Sequence, residues 1–164
     1  METRYYATGN YRKDGRCETA HAMKEGANWA IYRAAAEMVK YIPTKAVLIP
    51  MPSHTGRATY TLELCKRIAR ETAAEVCDYL KGTPRETLYN LKKQGRHLLP
   101  AKLGFYLSQP LPAGKRVIII DNVVATGTTA AAAVRAIGGG VVFAYAAATN
   151  SQTRKDLVRL YPTI

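Results

Sequence analysis

Apolar residues in this chain gather into short unbroken runs, separated by stretches in which they recur at helical spacing. Residues 46–52, Ala46-Val47-Leu48-Ile49-Pro50-Met51-Pro52, form one run, closed by prolines. Residues 116–121, Arg116-Val117-Ile118-Ile119-Ile120-Asp121, form the clearest, and Val141 to Ala147 a third. Runs without alternation predict strands buried on both faces. Between them, Trp29, Tyr32, Ala36 and Val39 recur at +3, +4, +3 and predict a helix that Pro43 ends. A second helix is predicted over 59–73, with Leu62, Cys65, Ala69 and Thr72 on one face. An alanine-rich third covers about 128–137, where Gly138-Gly139-Gly140 stops it. Residues 75–81 read as a further strand or as a continuation of the second helix, and 153–161 as a short terminal helix. Residues 3–22 read as a hairpin turning at Asp14-Gly15. Strands alternating with helices predict an α/β domain with a mainly parallel sheet flanked by helices. The 164 residues suit one domain, with 1–45 as hairpin and helix and 46–150 as core.

Charge changes the picture. Twenty-four Lys and Arg against twelve Asp and Glu leave a net charge of +12. That excess points to anionic partners: nucleic acid, phosphate-rich small molecules or a membrane surface. An apolar fraction of 48% excludes a disordered basic tail. Residues 81–116 hold eight of the cations against one acid, Glu86, directly before the clearest strand. No basic amphipathic stretch supports the membrane, and no apolar run is long enough to span one. Cys17, Cys65 and Cys77 stand in no metal or redox spacing, which argues for a reducing compartment. With no apolar signal region at Met1 to Tyr5, the expectation is a soluble, cytoplasmic chain.

Candidate chemistry lies just past the clearest strand, where α/β sheets bind ligands. The segment runs Asp121-Asn122-Val123-Val124-Ala125-Thr126-Gly127-Thr128-Thr129. Gly127 lets the backbone turn tightly and approach a ligand. Amides at the start of the following helix favour an anion, and Thr126, Thr128 and Thr129 add hydroxyls. Asp121 and Asn122 can bind sugar hydroxyls or face a hydrated divalent ion. The competing reading is a strand end followed by an ordinary helix cap. Neither the Walker lysine loop nor the G-x-G-x-x-G loop is present.

Residues 117–129 resemble the phosphoribosyl-pyrophosphate (PRPP) motif of type I phosphoribosyltransferases: four apolar residues, two acids, an apolar pair, then a Thr/Ser-Thr-Gly-x-Thr loop. The segment His21-Ala22-Met23-Lys24-Glu25-Gly26 and the segment Ile49 to His54 with Arg57 are similar to the ComF-like branch of that family. Residues 83–95 and Gly104-Phe105 fall in the expected order. The resemblance implies the type I phosphoribosyltransferase fold with a small N-terminal hood. It also implies transfer of ribose 5-phosphate from PRPP to a nitrogen nucleophile, with Mg²⁺ and release of pyrophosphate. Asp121 and Asn122 would then hold the ribose hydroxyls, directly or through Mg²⁺. Ala125, Thr126, Gly127, Thr128 and Thr129 would cradle the 5′-phosphate. Ser53, His54, Thr55, Gly56 and Arg57 would form the pyrophosphate loop, and a mobile loop within 83–103 would close over the site. The chain departs from the motif in having Asn122 for a second acid and Ala125 for a hydroxyl residue. The loop after Pro52 also lacks two adjacent glycines.

Lys92, Lys93, Arg96 and His97 are candidate lid cations, against the reading of a solvated basic loop. His21 reads as structural, and Cys65 and Cys77 as packed thiols. Trp29 and the tyrosines are candidate stacking platforms, with Tyr5, Tyr6 and Tyr11 placed in the hood near the acceptor. Asn122, Ala125 and the net charge motivate an alternative, a non-catalytic PRPP or nucleotide sensor that binds nucleic acid. The ComF-like resemblance adds a DNA-uptake accessory role, and the family a possible homodimer. The acceptor is left open.

Overall fold

The computed structural model describes residues 4–96 and 100–148. Five strands lie side by side, every pairing parallel: β1 (Arg4–Ala7), β7 (Val141–Ala147), β6 (Val117–Val124), β2 (Val47–Pro50) and β3 (Glu75–Val76). Helices α1 (Cys17–Lys24), α2 (Asn28–Met38) and α3 (Tyr60–Thr72) cover one face. Helix α5 (Thr128–Ile137) covers the other. Beside α5 lies a short antiparallel pair, β4 (Leu80–Lys81) with β5 (Tyr106–Leu107). Helix α4 (Leu88–Lys93) belongs to the segment between them.

The apolar runs are explained by burial on both faces. Leu48, Ile118, Ile120 and Phe143 pack towards α1, α2 and α3. Val47, Ile49, Ile119 and Val142 pack towards α5. Each such side chain contributes about 1.5–3 kcal/mol when fully buried, so a polar residue in these strands needs another reason to be there. The α/β architecture with a mainly parallel, helix-flanked sheet is therefore as expected, and α5 and β7 occupy the expected residues.

Several local expectations are corrected. There is no hairpin at 3–22: β1 pairs with β7, and residues 17–24 are helical. Asp14-Gly15 does turn the chain, but between a strand and a helix, with Gly15 at φ +64°. Tyr5 and Tyr6 are buried on opposite faces of the sheet rather than placed in a hood near the acceptor. In α2 the small residues Ala30, Ala34 and Ala35, with Ile31 and Met38, face inward. Trp29 and Tyr32 stay 48% and 52% exposed, and the Arg67 guanidinium lies 4.0 Å over the Tyr32 ring. Small side chains let α2 approach its neighbours closely, and the helical spacing of large residues marked the opposite side. The buried face of α3 is likewise Thr61, Leu64, Cys65 and Ile68. Residues 75–81 divide between two strands of different sheets. The terminal helix expected at 153–161 lies outside the described residues. Among the described residues, no helix is long and apolar enough to cross a membrane.

Connectivity fixes where a ligand can sit. From β2 the chain passes through α3 to β3, on one side of the sheet order. From β6 it passes through α5 to β7, on the other side. Adjacent strands whose crossovers leave in opposite directions open a crevice beyond their carboxyl ends. Here β6 also outlasts β2, because pairing ends at Pro50 with Ile120 while β6 continues to Val124. Asp121 and Asn122 thus emerge inside a strand, beside a missing neighbour, and not in a turn after it.

Candidate functional site

The crevice holds two adjoining cavities of about 460 and 370 Å³. They share Lys24, Tyr60, Leu88, Tyr89, Asp121, Asn122 and Thr129. Such sizes suit small-molecule ligands.

Strand alternation gives Asp121 and Asn122 opposite surroundings. Asp121 follows Ile119 on the α5 face, and Asn122 follows Ile120 on the α1–α3 face. Each is 8% exposed. Tyr60, the first residue of α3, donates its hydroxyl to Asn122 Oδ1 at 3.2 Å. The same oxygen accepts the Val123 N–H, and Asn122 Nδ2 donates to the Ala20 carbonyl of α1 at 3.1 Å. The amide therefore braces three elements beneath the cleft. One Asp121 oxygen accepts the Asn122 N–H at 2.8 Å. Burial pushes the Asp121 carboxyl up to about 7, partly opposed by that N–H and by the positive charge of Lys24. Burial and the Asp121 carboxylate together push the Tyr60 phenol far up, so Tyr60 remains a hydrogen-bond donor.

Beyond β6, Gly127 sits at φ +82° as the residue capping α5. Thr128 donates its N–H to Thr126 Oγ1 at 3.4 Å, and the two hydroxyls lie 3.1 Å apart. Ala125, Thr126, Gly127 and Thr129 line the larger cavity with Asp121, whereas Thr128, expected with them, lines neither cavity. Opposite, Tyr11 reaches the same cavity. Its turn is docked on β7 by the Tyr11 N–H to Ala147 carbonyl bond and by Arg16. The Arg16 guanidinium binds Thr8 and Glu37 and lies 4.7 Å from the Tyr145 ring. Of the three tyrosines expected near the acceptor, Tyr11 alone lines the cleft.

The smaller cavity is lined by Ser53, His54 and Thr55 after β2. Gly56 is buried behind them, and Arg57 is exposed and lines neither cavity. This loop is welded to the segment before α4. Gly82 donates its N–H to the Gly56 carbonyl at 2.9 Å, and Arg85 donates to that of His54 at 2.8 Å.

The basic segment turns a different cation inward from those expected. Lys92, Lys93 and Arg96 are exposed and line neither cavity, and Lys93 sits 5.1 Å over the Tyr89 ring. His97 lies outside the described residues. Arg85, Thr87, Leu88 and Tyr89 face the cleft instead. The half-buried Arg85 side chain donates to the Glu86 carbonyl at 2.9 Å and forms no ion pair among the described residues. Burial lowers its pKa from the ordinary arginine value, with no carboxylate to offset the cost.

The chain matches no protein-family model and no curated protein.

The site must therefore be read from its own geometry. Sequence reasoning located both loops and Asp121, but missed Tyr60, Arg85 and Tyr89 and took Lys24 only as part of a resembling segment. Arg85 stands three residues after Gly82, whose close approach to Gly56 is invisible without the fold. Lys24 stands three positions after His21, one turn apart on α1, and both line the larger cavity. That spacing was a usable signal. Among the described residues, no three His, Cys, Asp or Glu side chains gather as a metal site, and Asp121 is the sole carboxylate lining the cleft.

Proposed function

We propose that this cleft binds PRPP and transfers its ribose 5-phosphate to a nitrogen nucleophile, releasing pyrophosphate. One observation carries the reading. A single buried carboxylate, Asp121, stands at the wall shared by two cavities, and each cavity ends in groups suited to phosphate. One end is the Thr126–Thr129 turn capping α5, and the other is the 53–55 loop with Arg85. A sugar esterified with phosphate groups at two positions matches that layout, with the ribose hydroxyls over Asp121.

In this reading the amides at the start of α5 and the Thr126 and Thr129 hydroxyls hold the 5′-phosphate, with Thr128 bracing Thr126. Asp121 accepts from a ribose hydroxyl and steadies the positive charge that grows at C1. The Arg85 guanidinium and the Ser53 and Thr55 hydroxyls hold the departing pyrophosphate, whose negative charge grows as the C1–O bond breaks. Asn122 acts from beneath, by fixing Tyr60 and α1. Tyr89 and Leu88 cover the cleft and limit access of water, which would otherwise compete as nucleophile. The donor set fits Mg²⁺, which commonly takes one or two carboxylates and completes its shell with substrate oxygens and water. Asp121 would hold it, and the ion would supply charge neutralisation to the pyrophosphate.

Calorimetry with PRPP and Mg²⁺ tests the reading. The wild type is expected to bind, and Asp121→Ala combined with Gly127→Val to lose binding. Valine at φ +82° is strained by roughly 1–3 kcal/mol, which distorts the phosphate turn. Absence of wild-type binding, or unchanged binding by the double variant, would sink the proposal. Inorganic pyrophosphate separates the two ends. Arg85→Gln should weaken it about 10- to 100-fold, the loss of a charged hydrogen bond, while Lys92→Gln with Lys93→Gln should leave it nearly unchanged. Equal losses in the two variants would return the role to the exposed lysines.

A second reading has its own support, because Lys92, Lys93 and Arg96 lie outside the cleft and the Asn122 amide is committed to bracing. The protein would then be a PRPP or nucleotide sensor that binds nucleic acid. It predicts salt-dependent nucleic-acid binding with no pyrophosphate release.

A further inference from the structure

The outer face of α2 and α3 lies apart from the cleft. Along α2, Trp29, Tyr32, Arg33 and Ala36 recur at helical spacing on the side turned away from the core, and the stripe continues to Lys40. All five are exposed, and none lines either cavity. Trp29 is the only tryptophan of the chain. It stands one turn from Tyr32, and about half of each ring is left to water. Single exposed apolar residues are ordinary, but two large rings side by side mark a surface that something covers.

The rings are also held in place. The Arg67 guanidinium of α3 lies 4.0 Å over Tyr32 and pairs with Glu71 at 3.6 Å. Trp, Tyr and Arg are the residue types that carry most binding energy where proteins meet. Side chains fixed beforehand lose less freedom on contact.

Charge decides what covers the face. Each acid of the two helices already has a cation: Glu37 has Arg16, Glu63 has Lys66 and Glu71 has Arg67. Arg33, Lys40 and Arg70 have no acid among the described residues. What completes the face is therefore acidic as well as apolar. A second copy of the chain fits poorly, because it brings the same three cations and a net charge of +12. A nucleic acid fits poorly too. Arg67 already covers one side of the Tyr32 ring, and Glu63 and Glu71 stand along the path of a phosphate backbone. Residues 81–116, with eight cations against one acid, offer a polyanion a better surface elsewhere.

We infer that the outer face of α2 and α3 docks an acidic segment of another protein. An apolar side chain of that segment packs on Trp29 and Tyr32, and its carboxylates are set against Arg33 and Arg70. From Trp29 to Lys40 the stripe runs about 16 Å, room for about three turns of a docked amphipathic helix. The inference is independent of the chemistry in the cleft.

Peptide selection tests it. Random peptides of about 16 residues, long enough as a helix to span the stripe, are displayed on phage. They are selected in parallel on the wild-type chain and on Trp29→Ala combined with Tyr32→Ala, whose folding is checked by urea unfolding. Peptides kept by the wild type alone should be rich in Asp and Glu and carry Leu, Ile, Phe or Trp. A synthetic copy of the most enriched should move the Trp29 emission saturably to shorter wavelength. In calorimetry the double variant should bind that peptide at least about 10-fold more weakly. Arg33→Gln with Arg70→Gln should weaken it about 3-fold or more. Selection of no peptide that separates the two proteins, or of separating peptides without an excess of acid, would overturn the inference. So would a tighter Trp29 response to an oligothymidylate of the same length, which would assign the face to nucleic acid. An emission shift on concentrating the chain alone would overturn it in favour of self-association.

Discussion

Gly56→Ala is expected to cost about 3–4 kcal/mol of folding stability, far more than an ordinary surface substitution. Gly56 has φ +83°, and a Cβ there would stand 2.1 Å from the Gly82 carbonyl oxygen and 2.9 Å from its carbon. The obstacle is backbone, so no rotamer relieves it and the two segments must part. Parting breaks the Gly82-to-Gly56 and Arg85-to-His54 hydrogen bonds, worth about 1 kcal/mol each. The left-handed backbone adds about 1–2 kcal/mol for any residue with a Cβ. Gly114→Ala is the control, because Gly114 has φ +73° and open space around its Cβ position. It should lose the backbone share alone. Urea unfolding of both variants separates the shares, and equal losses would mean that the weld between the loops contributes nothing. The damage from Gly56→Ala should also reach the pyrophosphate end of the cleft, since it displaces Arg85 from the 53–55 loop.

The second large effect concerns pH. The Asp121 carboxyl titrates near 3.8 when free and at about 7 in the fold, because burial penalises its charge. Between those values the folded chain holds a proton that the unfolded chain has released. The stabilising contribution of this group is therefore complete below its unfolded value and is lost as pH rises through about 7. At its steepest the loss approaches about 1.4 kcal/mol per pH unit. Asp121→Asn cannot titrate, yet it can still accept the Asn122 N–H. The variant should gain on the wild type by a few kcal/mol as pH rises from roughly 4 to 8. Denaturant unfolding of both proteins across that range, without ligand, measures the difference. A difference that stays flat would show that the folded carboxyl is charged throughout.

Legibility from sequence followed what each signal depends on. The apolar runs, α5 and its glycine stop depend on local pattern, and residues 128–137 and 141–147 were read at their observed bounds. The N-terminal segment is not legible in the same way, because Asp14-Gly15 reports a turn but not what the turn joins. Whether Cys17–Lys24 pairs as a strand or coils as a helix is decided by packing of Ala20 and Met23 against β6 and β7. The facing of α2 was missed for a related reason. Alanines mark a close helix contact, whereas Trp29 and Tyr32 attract attention by size alone. In the site, Asp121 and the Gly127 turn are contiguous in sequence and were found. Arg85, Lys24 and Tyr60 reach the cleft from three separate segments, and only the sheet order brings them together.

The alternation along β6 leaves the site little tolerance for changes in strand length. Inserting or deleting one residue between Val117 and Ile120 would advance the strand by one step and exchange the faces of everything after it. The carboxylate would then turn towards Ala20 and Tyr60, whose carbonyl and hydroxyl suit an amide, and the amide would face the sugar side. A two-residue change would restore the faces but move both groups about 7 Å along the crevice. Natural or engineered length variation in this chain should therefore accumulate in the segment before β6 and after β7, and spare the four apolar residues that set the register of Asp121.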